Sequence, residues 1–198
     1  MQTKYAKPAR MFNQQGEVRR AGFELEFAGL DLQTAAQAVA NGLGGEVELD
    51  TQAECKVKHP KYGNFKIELD WSFAKNMARR RLEEQGASED MVMSLMTDLA
   101  RQIVPLEIVC APVPVDSLTV LDPMVEQLQQ AGALGTSDSL IYAFGVHINA
   151  ELPDFDSETL VAYLQAYCVA QTWLIKAHGV DPLRRLTPYI DSYPKRYV

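Results

Sequence analysis

The chain has 198 residues, 47% of them hydrophobic, and a formal net charge of -7. That is enough for one domain with a real core, or for part of a larger one, and it disfavours a nucleic-acid partner held mainly through phosphates. Three scattered cysteines, a first segment without an apolar run and no apolar stretch of bilayer length speak against a disulfide framework, a signal peptide and a membrane partner. A cytoplasmic protein is the expectation.

Residues 1–17 are polar and carry Pro8 and Gly16, which predicts a flexible N-terminal arm. A first strand follows at about 20–28. Its run Gly22-Phe23-Glu24-Leu25-Glu26-Phe27 alternates apolar and acidic residues. Strand side chains have period two, so Glu24 and Glu26 share one face while Phe23, Leu25 and Phe27 point into a core. Paired carboxylates repel unless a cation or water takes up the charge, and hard divalent cations want such oxygens. Glutamates on a solvated strand face are the plainer reading.

Asp31 is placed to cap a helix running to about Asn41, which Gly44-Gly45 ends. Glu46 to Lys58 reads as a strand, residues 59–64 as a turn, and Phe65 to Trp71 as the returning strand. Residues 73–103 read as two helices, broken at Gly86 with Ser88 capping the second. Leu106 to Ala111 reads as a strand ended by Pro112 and Pro114, and residues 116–131 as a helix. Leu140 to Asn149 is a further strand. Asp156 or Ser157 caps a last helix to about His178, and the rest reads as loop. Strands, a hairpin and helices without regular βαβ alternation predict an α+β fold with a largely antiparallel sheet and helices on one face.

The alternation rule extends to the other strands. Lys66, Glu68 and Asp70 lie opposite Ile67, Leu69 and Trp71, and Glu107 lies opposite Leu106, Ile108 and Cys110. His147 and Asn149 lie opposite Phe144, Val146 and Ile148. If the apolar faces share a core, the other face gathers Glu24, Glu26, Glu68, Asp70, Glu107, His147 and Asn149. Adjacent strands are ~5 Å apart, so these groups come within reach of shared ions. Like charges so close are expected to raise some carboxylate pKa values until a cation binds. His59 and His178 receive no role.

With these residues in view, the chain resembles the amidoligase family, grouped with glutamine synthetase and glutamate–cysteine ligase among the carboxylate–amine ligases. The resemblance runs over most of residues 18–198. It is carried by the segment Arg19 to Phe27, by Phe65-Lys66-Ile67-Glu68-Leu69-Asp70, by Val104 to Val109 before Pro112, by Ser139 to Asn149, and by Arg184-Arg185-Leu186-Thr187-Pro188-Tyr189-Ile190-Asp191. The resemblance implies a glutamine synthetase-like sheet whose concave face holds ATP and Mg2+ or Mn2+. It implies Glu24, Glu26 and Glu107 as metal ligands. His147 would serve a metal or the nucleotide phosphates, with Asn149 standing where some relatives carry a second histidine. Arg184 or Arg185 would meet phosphate.

The implied activity is ATP-dependent joining of a small-molecule or peptide carboxylate to an amine, through an acyl phosphate. Lys66 would set a positive charge beside the phosphates, and Glu68 or Asp70 would take a proton from the amine. Relatives generally continue past this point, so residues 18–198 are expected to be the N-terminal part of a longer catalytic domain, one that is inactive if the missing part completes the site. Two other readings stay open: a non-catalytic binding or interaction module of the same fold, and a metal-dependent hydrolase. The second lacks the histidine-rich ligands usual for zinc hydrolysis.

Overall fold

The computed structural model describes residues 5–51, 53–70, 105–135 and 145–178. In chain order its elements are β1 (Arg20–Phe27), α1 (Leu32–Leu43), β2 (Glu46–Leu49), β3 (Glu54–His59), β4 (Gly63–Leu69), β5 (Leu106–Val109), β6 (Val113–Pro114), a 3-10 turn (Leu118–Leu121), α2 (Asp122–Ala131), β7 (Val146–Ala150) and α3 (Ser157–Ala177). The expected helices of residues 73–103, the start of the strand at Leu140 and the segment after Gly179 lie outside the described residues.

The fold is α+β, and its strands form one antiparallel sheet. β1 is central. One of its edges pairs with β7, with Glu24 across from His147. Its other edge pairs first with β5, Glu24 across from Val109, and then with β6, Ala21 across from Val113. Beyond β5 come β4, β3 and β2.

Alternation decides which face closes. Cys55 and Val57 on β3, Phe65 and Ile67 on β4, and Leu106 and Ile108 on β5 are buried on one side. Against them pack Ala35, Ala36, Val39, Ala40 and Leu43 of α1, with Met124 and Leu128 of α2. The small side chains of α1 let it lie close to the sheet and to α2. At Gly42 a Cβ atom would stand only 2.4 Å from the Cα of Met124, so the two helices cross at a point that admits no side chain. Asp31 caps α1 as expected: its Oδ1 accepts from the Thr34 N–H at 2.8 Å, a contact of a kind worth about 1 kcal/mol. Gly44 ends the helix in the left-handed region, at φ 76°.

The structure differs from expectation in three places. Glu46 to Lys58 is two strands, not one, because the N–H groups of Asp50 and Thr51 both turn back to the Glu54 carbonyl. The strand at Leu106 does not end for good at Pro112. The chain bulges there and pairs again with β1 through Val113 and Pro114. Residues 116–131 start as a 3-10 turn before the α-helix, since Pro123 has no N–H to continue an α-helical ladder backwards.

The segment read as an arm has specific contacts. Asn13 Nδ2 donates to Glu151 Oε1 at 2.9 Å, and the carbonyl of Arg10 accepts from Nη1 of the buried Arg19 at 2.7 Å. Arg10 pairs with Asp154. Val146 and Ile148 of β7 point away from the acidic face but are 57% and 56% exposed, so the described residues do not close the core at that edge. No described helix is long and apolar enough to cross a membrane.

Candidate active site on the open face of the sheet

The strand register turns the alternation rule into a map. One row across the open face runs Glu54, Glu68, Glu107, Glu26, each directly across from the next on β3, β4, β5 and β1. The adjacent row runs Lys56, Lys66, Val109, Glu24, His147. Asn149 follows His147 on the same face of β7, across from Gly22. The face inferred from sequence is therefore assembled as expected. Val109 also lies on it, an apolar spacer between Lys66 and Glu24.

Within this face the side chains form two groups. In the first, a carboxylate oxygen of Glu24, one of Glu107 and a ring nitrogen of His147 all lie within 4.8 Å of one another. His147 Nδ1 is 2.7 Å from Glu24 Oε2, and Asn149 Nδ2 donates to Glu24 Oε1 at 2.9 Å. Glu26 stands beside this trio. Its Oε2 accepts the backbone N–H of Gly145 at 2.7 Å. Ligands of one small cation at roughly 2.1 Å sit no more than ~4.2 Å apart, so modest rotation would let the trio close on an ion. Two carboxylates and an imidazole suit Mn2+ well and Mg2+ through their oxygens, so the residues present fit a divalent cation.

In the second group Lys66 Nζ sits 2.8 Å from Glu68 Oε2 and 3.3 Å from Glu54 Oε2. Lys56 extends the ladder, 3.6 Å from Glu54 and also paired with Asp50. The bond to Glu68, then that to Glu54, raises the Lys66 pKa against the opposing effect of burial, so this lysine stays cationic. Asp70 lies at the end of β4, its N–H bonded to the Pro105 carbonyl at 2.8 Å.

The expected rise in carboxylate pKa falls on Glu107. Partial burial is the main cause, and the negative charges of Asp70, Glu24, Glu26 and Glu68 add to it. A nearby cation would offset the repulsion that these acids exert on Glu107.

Glu24, Glu107, His147 and Asn149 come together, with Glu26 alongside, while Lys66, Glu68 and Asp70 form a neighbouring group. Arg184 and Arg185 lie outside the described residues. Glu54 and Lys56 were missed. Their signal was present in Glu54-Cys55-Lys56-Val57, the same alternation, but it was hidden inside what read as one long strand. An apolar cleft of about 150 Å³, lined by Phe23, Leu25, Leu118 and Met124, lies against the opposite face of β1 and not at this chemistry.

An antiparallel sheet with helices on one face and a cluster of acids on the other defines the class: an α+β protein with a charged, open face. A family model described as "Putative amidoligase enzyme" matches residues 17–198, and the chain belongs to that family. The family points to a ligase that acts on carboxylate and amine groups. No curated protein and no solved structure matches the chain.

Proposed function

We propose that this protein joins a carboxylate to an amine in an ATP- and Mg2+- or Mn2+-dependent reaction, on a glutamine synthetase-like sheet. The observation that carries this reading is the convergence of Glu24, Glu107 and His147 on the open face, in a chain of the amidoligase family.

A carboxylate is a poor acylating agent, so amide formation needs activation. The substrate carboxylate oxygen attacks the γ-phosphorus of ATP, ADP leaves, and an acyl phosphate forms. The amine nitrogen then attacks the acyl carbon and phosphate leaves. A bound divalent cation supplies charge neutralisation at the phosphate oxygens. Glu24 and Glu107, with His147, would hold it, and Glu26 would add a carboxylate beside them. Lys66 keeps a fixed positive charge one strand away. Glu68 or Asp70 takes the proton that the attacking amine loses. Pre-positioned charge of this kind is usually the largest single contribution to such catalysis. Arg184 and Arg185 add phosphate contacts in this reading.

Thermal unfolding with and without Mn2+ plus a non-hydrolysable ATP analogue tests the proposal. A ligand at a hundredfold excess over its dissociation constant stabilises by about 2.7 kcal/mol. The wild type should gain stability and Glu24→Gln/Glu26→Gln should not. An equal gain in both would remove the site from β1.

A further inference from the structure

β7 presents His147 and Asn149 to the site, and these two, with the backbone of Gly145 just before the strand, each contact an acid of β1. The Gly145 N–H donates to Glu26 Oε2 at 2.7 Å, His147 Nδ1 meets Glu24 Oε2 at 2.7 Å, and Asn149 Nδ2 donates to Glu24 Oε1 at 2.9 Å. A carboxylate only accepts hydrogen bonds, so it is the amide NH2 of Asn149 that faces Glu24, and the proton shared with His147 sits on Nδ1. Both oxygens of Glu24 are therefore fixed from one strand. The contact from Asn149 is diagonal. Its own partner across the ladder is Gly22, which has no side chain to fill the space between them; even a Cβ there would lie 3.8 Å from the Asn149 Cβ.

We infer that Asn149 is a positioning residue for Glu24 and not itself a contact to nucleotide or metal. By holding Oε1 it sets the rotation of the carboxylate, which leaves Oε2 turned toward His147. The inference rests on the cation-binding reading of the trio Glu24, Glu107 and His147. Glu24 Oε2 and His147 Nδ1 would hold an ion there in place of the proton they share. Partners that orient a metal ligand in this way are typically worth ~10–100-fold in affinity.

The test compares wild type and Asn149→Ala by Mn2+ titration without nucleotide, and by nitrogen-15 NMR of the His147 ring in metal-free protein. Asn149→Ala is expected to weaken Mn2+ binding ~10–100-fold, keep the fold by circular dichroism, and shift the His147 ring away from the Nδ1–H tautomer. Wild-type Mn2+ affinity with an unchanged ring spectrum would overturn the assignment. If wild type itself fails to bind Mn2+, the cation reading fails, and the ring spectrum alone still decides whether Asn149 holds Glu24: an unchanged spectrum in the variant rejects it.

Discussion

Glu107 on β5 stands directly across from Glu26 on β1, and the same residue stands directly across from Glu68 on β4. Like charges in facing positions on neighbouring strands destabilise a sheet. With Glu54 across from Glu68, four carboxylates stand in one row, which is hard to account for as packing alone. They make sense if the row is completed by positive charge. Lys66 supplies it to Glu68, and on the proposed function a divalent cation supplies it to Glu107.

This gives a pH-dependent prediction with a definite sign. The folded-state pKa of Glu107 is raised above the ordinary value of 4.5, first by burial and then by its acidic neighbours. The folded protein therefore binds that proton more tightly than the unfolded chain. The ionised group burdens the folded state above the raised pKa, the burden fades as pH falls toward 4.5, and below that it is gone. Glu107→Gln, which resembles the protonated acid, should raise the metal-free melting temperature at neutral pH and lose that advantage below the ordinary carboxylate range. It should also abolish stabilisation by Mn2+. Melting curves over pH, with and without Mn2+, check both. A variant less stable than wild type at neutral pH would mean that the Glu107 charge is already compensated.

How far this site could be read from sequence follows from the physics of strands. A period of two fixes the face of every residue once the strand is recognised, so Glu24, Glu107, His147 and Asn149 could be brought together without coordinates. The face does not reveal the register. That Glu24 lies beside His147, while Glu26 meets the Gly145 backbone, depends on pairing between residues more than a hundred positions apart. The hairpin between β2 and β3 was missed because Asp50-Thr51-Gln52-Ala53 holds neither glycine nor proline. The bulge before β6 was missed because two prolines read as a stop. The helical face of the sheet was easier: Asp31 and Gly44 mark the ends of α1 by chemistry local to the chain.

Lys66 separates a structural from a functional role. Its two ion pairs lie on a partly solvated face, where such pairs contribute roughly 0.2–1 kcal/mol and are screened by salt. Lys66→Met should therefore cost less than about 1 kcal/mol in urea unfolding, with the difference shrinking at high salt. If Lys66 serves the phosphates, binding of the ATP analogue should fall at least about tenfold, or about 1.4 kcal/mol, which is more than its share of stability. Unfolding and nucleotide titration of the same variant give the comparison. A stability loss with intact nucleotide binding would leave Lys66 as a balancing charge only.

Among the described glycines the closest approach lies away from the site, where α1 crosses α2. In an ordinary helix interior, replacing glycine by alanine favours the helix by roughly 1 kcal/mol. At Gly42 the added methyl would stand 2.4 Å from the Met124 Cα, 2.6 Å from its N and 2.7 Å from the Pro123 carbonyl oxygen. All three are backbone atoms, which no change of rotamer moves aside, so the helices must separate. Met124 is fully buried against the sheet, and parting α1 from α2 therefore loosens the packing over Phe65 and Ile67 as well. Overpacking of this kind costs about 1–3 kcal/mol, which outweighs the gain in helix propensity. Gly42→Ala should lower the denaturant midpoint without changing the slope of the transition, since the surface exposed on unfolding is nearly the same. Unchanged or increased stability would mean that the two helices do not meet this closely.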